Sequence, residues 1–186
     1  MNATSQTISQ YVRNHVRFET AFKDGKTRAV LLERFEKAFS VLPPQVADLF
    51  LSDGRNLVVI VMPDLELPLG MRTRSEGPPE ARTYTIVVFR EHGEWSENHF
   101  IGAFLRELGH VVAQRPPESE WPTTRGDRSR FREKLEYRAD AMVWRWGLRH
   151  YSMSHLTATY PPHWVERIVT EIGKIVLEEN DSPWLQ

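Results

Sequence analysis

Cysteine is absent from the 186-residue chain. Disulfides, thiolate nucleophiles and cysteine-ligated zinc are excluded with it. No apolar run approaches the roughly 20 residues that a membrane-spanning helix needs. The opening stretch "MNATSQTISQYVRNH" holds no apolar core of the kind a secretory signal carries, so a cytoplasmic protein is expected. Strong net charge is missing as well. Lys and Arg number 24 against 25 Asp and Glu, a formal charge of -1, so no global field draws the chain to nucleic acid or to a membrane. Internal repeats and low-complexity tracts are likewise absent. What remains is ordinary globular composition, 40% hydrophobic and 26% charged, which argues against disorder. The length suits one domain spanning residues 1–186.

Apolar spacing and turn residues divide the chain. "TRAVLLERFEKAFSVL" places Val30, Leu31, Phe35, Ala38 and Phe39 at helical intervals, and Pro43 and Pro44 stop it. "QVADLFLSDG" reads as a short helix ending in an Asp53-Gly54 turn. "NLVVIVMP" and "TYTIVVFRE" read as buried strands, separated by an exposed loop over 63–82 rich in Pro, Gly and charge. Ser96, with Trp95 before it and Glu97 after it, signals the start of a helix over 97–114. A Pro-rich loop follows, then a long helix over 128–150 and a last helix in "WVERIVTEIGKIVLEE". Helices around a small central sheet make the expected class α+β.

The 97–114 helix is apolar on most sides. Phe100, Phe104, Leu108 and Val111 form one stripe, widened by Ile101, Leu105 and Val112. His99, Ala103, Arg106, Glu107 and His110 lie on the other face. Charges in so apolar a segment need partners. Gly109 costs roughly 1 kcal/mol relative to alanine inside a helix, and has a use where something approaches closely. On the next helix, "EKLEYRADAMVW" sets Glu136 and Asp140 one turn apart, with Glu133 beside them. Phe131, Leu135, Ala139, Met142, Val143 and Trp146 form its apolar side.

Taken together, the strand "TYTIVVFRE", the helix "HFIGAFLRELGHVV" and the helix "EYRADAMVWRWGL" resemble the gluzincin metallopeptidases. The compact bacterial ImmA/IrrE-type group is the nearest in kind: a short sheet, an H-E-x-x-H helix, then a helix bearing E-x-x-x-D. The resemblance covers roughly residues 83–150. It implies a helix-rich zincin-like domain with a small β-sheet. It matches Glu107 to the general base, His110 to a zinc ligand, Glu136 to the carboxylate ligand and Asp140 to the acid that orients a ligand histidine. Arg106 departs from the pattern: it stands where the first histidine belongs, in "RELGH" rather than "HELGH". A guanidinium stays protonated and offers no acceptor nitrogen to a metal. Arg106 is therefore expected to fill the metal's place with its own charge and to pair with Glu136 or Asp140.

The expected function is that of a degenerate zinc peptidase, a pseudopeptidase acting by binding a peptide or protein, with no cofactor. The alternative is an active zinc-dependent peptidase using Glu107 as base and an unorthodox ligand set. No other histidine fits easily. His99 lies about 16 Å along the helix from His110, and His150 about 21 Å past Glu136 if that helix is continuous. His15, His155 and His163 fall on segments the sequence does not place, and His92, just past a strand, is the first choice among them. All are expected to be surface or packing histidines. Arg125, Arg128 and Arg132 would be the residues to test for phosphate contact, but a solvated helix start is the expectation, and nucleic acid is not an expected partner. Trp144 and Trp146 are expected in packing.

Overall fold

Each helix expected from its apolar spacing turns that face inward. The computed structural model describes residues 5–51, 56–63 and 70–178. Its helices are α1 (Ser5–His15), α2 (Gly25–Ser40), α3 (Pro44–Leu51), α4 (Glu97–Val112), α5 (Arg125–Arg145), α6 (Arg149–Thr159) and α7 (Pro162–Glu178). The strands β1 (Val16–Phe18), β2 (Leu57–Met62), β3 (Arg72–Glu76) and β4 (Thr83–Phe89) form a mixed sheet of order β1-β2-β4-β3. β1, β2 and β4 run parallel, and β3 closes the sheet antiparallel to β4. The class is α+β and helix-rich.

The main core lies between the sheet, α2 and α4. Leu31, Phe35 and Phe39 of α2 meet Phe100, Phe104 and Leu108 of α4, with Val59, Val61, Ile86 and Val88 supplied by the strands. Phe104 packs edge-on against Phe35 and Phe39, at centroid distances of 4.9 and 5.8 Å. α4 is the central helix, and eleven of its residues are buried, Glu107 and His110 among them. A smaller cluster of Ala141, Leu156, Val165, Ile168 and Ile172 joins α5, α6 and α7.

Three departures from the sequence reading have physical causes. The 63–82 segment is not one exposed loop: Arg72–Glu76 pairs with β4 as an edge strand, with Thr73 and Ser75 turned inward. Its alternating Arg-Thr-Arg-Ser-Glu lacks the apolar residues that announce a strand. The Asp53-Gly54 turn and residues 64–69 lie outside the described residues. The helix expected over 128–150 is two helices. Gly147, at φ +76°, ends α5 with Leu148 N–H donating to the Val143 carbonyl and Gly147 N–H to that of Trp144, the paired bonds of a glycine-terminated helix end. His150 therefore does not continue the Glu136 helix. β1 and α1 also form, although the sequence reading placed no element there. β1 is three residues long and depends on pairing Val16 to Val59, 43 positions away along the chain by number, which no local pattern reveals.

Candidate functional site

α4 and α5 bring the candidate residues together because their backbones nearly touch. A Cβ on Gly109 would sit 2.5 Å from the Ala139 carbonyl oxygen. Gly102 plays the same part against α6, where a Cβ would overlap the Tyr151 carbonyl oxygen. The approach for which Gly109 is suited is thus that of a neighbouring helix.

Across this contact Arg106 reaches both α5 carboxylates. Its Nη2 lies 2.6 Å from Glu136 Oε2 and its Nε 3.2 Å from Asp140 Oδ2. The expected pairing is present with both acids at once. The Arg106 side chain is 13% exposed and that of Asp140 1%, so these charges are largely out of water and attract strongly. Burial alone would lower the Arg106 pKa, but Glu136, Asp140 and Glu107 outweigh it and raise it, which fixes the positive charge. Burial would likewise raise the Glu136 carboxyl. Arg106, the His110 hydrogen bond and Arg115 overcome that and hold it well below the ordinary carboxylate range. Asp140 is pushed up by burial and drawn back by Arg106 and by Ser152, whose hydroxyl donates to Oδ1 at 3.0 Å. Trp144 continues that chain, its indole N–H donating to Ser152 Oγ at 3.1 Å.

A second arginine completes the cluster. Arg115 Nη1 lies 3.2 Å from Glu136 Oε1 and 3.1 Å from His110 Nε2, and His110 Nε2 is itself 3.1 Å from Glu136 Oε2. The end of α4 puts Arg115 there. Gln114 adopts φ +54°, so Gln114 N–H donates to the Val111 carbonyl and Arg115 N–H to that of His110. This bonding folds the chain back over the last turn, and Arg115 lands on His110. Trp121 from the following loop supports it from the other side, with the Arg115 guanidinium 5.1 Å from the ring centroid.

Four of the five candidate residues, Arg106, His110, Glu136 and Asp140, are thereby in one contact network. Glu107 stands apart. Its buried carboxylate accepts from Thr73 Oγ1 of the edge strand at 2.7 Å. Glu133 lines the groove beside the cluster and accepts from Tyr137 and Arg167. Of the other histidines, His155 is the one beside Arg106, its Nε2 3.4 Å from Arg106 Nη1. Arg115, Thr73, Ser152 and His155 were not identified as members of the site by their sequence positions. The left-handed helix end brings in Arg115, the edge strand β3 brings in Thr73, and the packing of α6 brings in Ser152 and His155. Arg128 pairs with Glu118, and Arg132 approaches Glu136 at 4.0 Å, as solvated side chains at a helix start do. Trp146 is buried.

The donor chemistry bears directly on metal. His110, Glu136 and Asp140 are the side chains of the cluster whose types can bind a metal, and each is in contact with a guanidinium group. Among the described residues, no three His, Asp or Glu side chains gather as a metal site requires. A groove of about 120 Å³ opens beside the cluster, where Arg106 and Glu136 meet Tyr137, Tyr160 and Trp164. Among the described residues no helix is long and apolar enough to cross a membrane. The chain matches no protein-family model, no curated protein and no solved structure.

Proposed function

We propose that this chain is a zincin-like pseudopeptidase, in which an internal ion-pair cluster stands where a metal centre would be and the protein acts by binding a peptide or protein segment. The single observation that carries the proposal is the Arg106 guanidinium bridging Glu136 and Asp140. A catalytic zinc takes three protein ligands and keeps a fourth position open. Here two of the ligands that the resemblance implies, His110 and Glu136, remain, and the space they would share with a cation is already filled by one that cannot leave.

Two features support a binding role. β3 is an edge strand next to Glu107, and an extended peptide can add to such an edge through its backbone. The groove beside Arg106 is walled by Tyr137 and Tyr160 and rimmed by Trp164, which is 48% exposed, and can take one side chain of such a segment.

Elemental analysis tests the proposal. Wild type purified without added metal should carry far less than one zinc per chain and cleave no peptide. Because Arg115 also contacts His110 and Glu136, Arg106→His alone should regain zinc weakly. Arg106→His combined with Arg115→Ala should approach one zinc per chain. Stoichiometric zinc in wild type would establish instead an active peptidase with Glu107 as base and an unorthodox ligand set. No zinc in the double variant would sink the idea that one ligand was lost.

A further inference from the structure

A ladder of rings runs from the end of β4 to Arg106. His92, in the 3-10 turn Arg90–Glu94, lies against Trp95 with ring centroids 4.2 Å apart and the planes tilted by 49°. Trp95 lies parallel to His99 of α4 at 4.0 Å, with 1° between the planes. His99 meets His155 of α6 at 5.4 Å, and His155 meets Arg106. Three of the chain's seven histidines and a fixed arginine thus share one line through the α4–α6 contact.

The hydrogen bonds define the protonation of this ladder. Arginine N–H groups only donate, so His155 Nε2 must accept and carry no proton. Its proton then sits on Nδ1, facing Thr159 Oγ1 at 3.3 Å. His92 Nδ1 accepts from the Phe89 backbone N–H at 3.1 Å, so it too carries no proton. His99 Nε2 is buried and has no hydrogen-bond partner among the described residues. A proton added to His155 would set N–H against N–H beside Arg106.

We propose that this ladder is an acid-sensitive latch: neutral, it holds α6 against α4, and protonation of His155 releases α6 and uncovers the Arg106 cluster. Of the charged groups facing His155, all but Glu136 oppose a second positive charge. From α4 come Arg106 and His99, and from the Arg90–Glu94 turn His92, all opposing a second positive charge. From α5 comes Glu136, which favours it but is already engaged by Arg106 and Arg115. Asp140 of α5 bonds to Ser152 of α6, and Tyr160 lies near Arg106. Burial, then Arg106, hold the His155 pKa well below its ordinary value, and burial lowers that of His99. Groups depressed in the folded state lend stability at neutral pH and lose it as pH falls below the unfolded value of 6.5. Each such histidine multiplies the opening constant about tenfold per pH unit below that value.

The test follows α6 amide hydrogen exchange and the histidine ring resonances of the full chain from pH 7.5 to 5.0. The expected result is a His155 ring that titrates below 6.5, with α6 opening that rises at least about tenfold per pH unit. His155→Gln keeps an acceptor for Arg106 and never protonates, so its slope should fall by one proton, while His99→Gln should retain the His155 contribution. A folded wild-type His155 that titrates at or above 6.5 overturns the latch, as does an unchanged slope in His155→Gln. If that variant does not fold, the wild-type ring titration decides alone.

Discussion

Arg106 and the histidine it replaces in the resembling pattern differ in what they demand of their neighbours. An imidazole ligand would leave Glu136 to a metal and Asp140 to orient the ring, whereas a guanidinium fork meets both directly, at 2.6 and 3.2 Å. Arg115 owes its place to a single backbone residue. Gln114 holds a left-handed conformation at φ +54°, which crowds its Cβ and costs about 1 kcal/mol relative to glycine. Gln114→Gly should therefore raise the urea midpoint by an amount equivalent to about 1 kcal/mol, less the entropy glycine adds to the unfolded chain. A lower midpoint would show that the Gln114 side chain contributes more than its backbone conformation costs.

At the scale of elements, the site is the contact of α4 with α5 and α6, and glycines set its spacing. Gly109→Ala ought to improve the helix propensity of α4 by roughly 1 kcal/mol. The new Cβ would meet the Ala139 carbonyl, a backbone atom that can yield only if α5 moves. Overpacking of this kind typically costs about 1–3 kcal/mol, so net destabilisation is expected in equilibrium unfolding. A neutral or stabilised variant would mean that the two helices are held less closely than the Gly109–Ala139 contact implies. The same movement would part Arg106 from Glu136 and should loosen the ion-pair cluster.

For the whole molecule, the buried charges couple stability to pH. The folded pKa of Glu136 is depressed, so its contribution is fully present above the unfolded value of 4.5 and is lost as pH falls through the folded value. Arg106→Ala removes the principal cation and leaves two carboxylates with little or no exposure. Breaking a buried pair in this way costs about 3–5 kcal/mol near pH 7. Without Arg106, burial pushes both carboxyls up, so the variant gains stability relative to wild type as they protonate. Unfolding curves at pH 7 and pH 4 should therefore show the gap between variant and wild type shrinking in acid. A gap that is constant across that range would rule out ionised carboxylates as its cause.

The sequence by itself determined the α+β class, the helical faces of α2, α4 and α5, and the one-turn spacing of Glu136 and Asp140. These follow from local periodicity, which the chain expresses whatever surrounds it. It also pointed to Arg106 as a charge needing an acidic partner, because α4 is too apolar to leave it unpaired. The end of α5 was missed, because the apolar spacing runs on past Gly147 and hides the left-handed turn there. Only the tertiary structure decided the rest. β3 has no apolar alternation and exists through its pairing with β4, and with it comes the Thr73 bond to Glu107. Arg115 enters through a left-handed glutamine, against that residue's usual preference. His155 enters because α6 turns back along α4, bringing together residues 49 apart in sequence. Contacts of that range depend on how faces pack, and no local spacing encodes them.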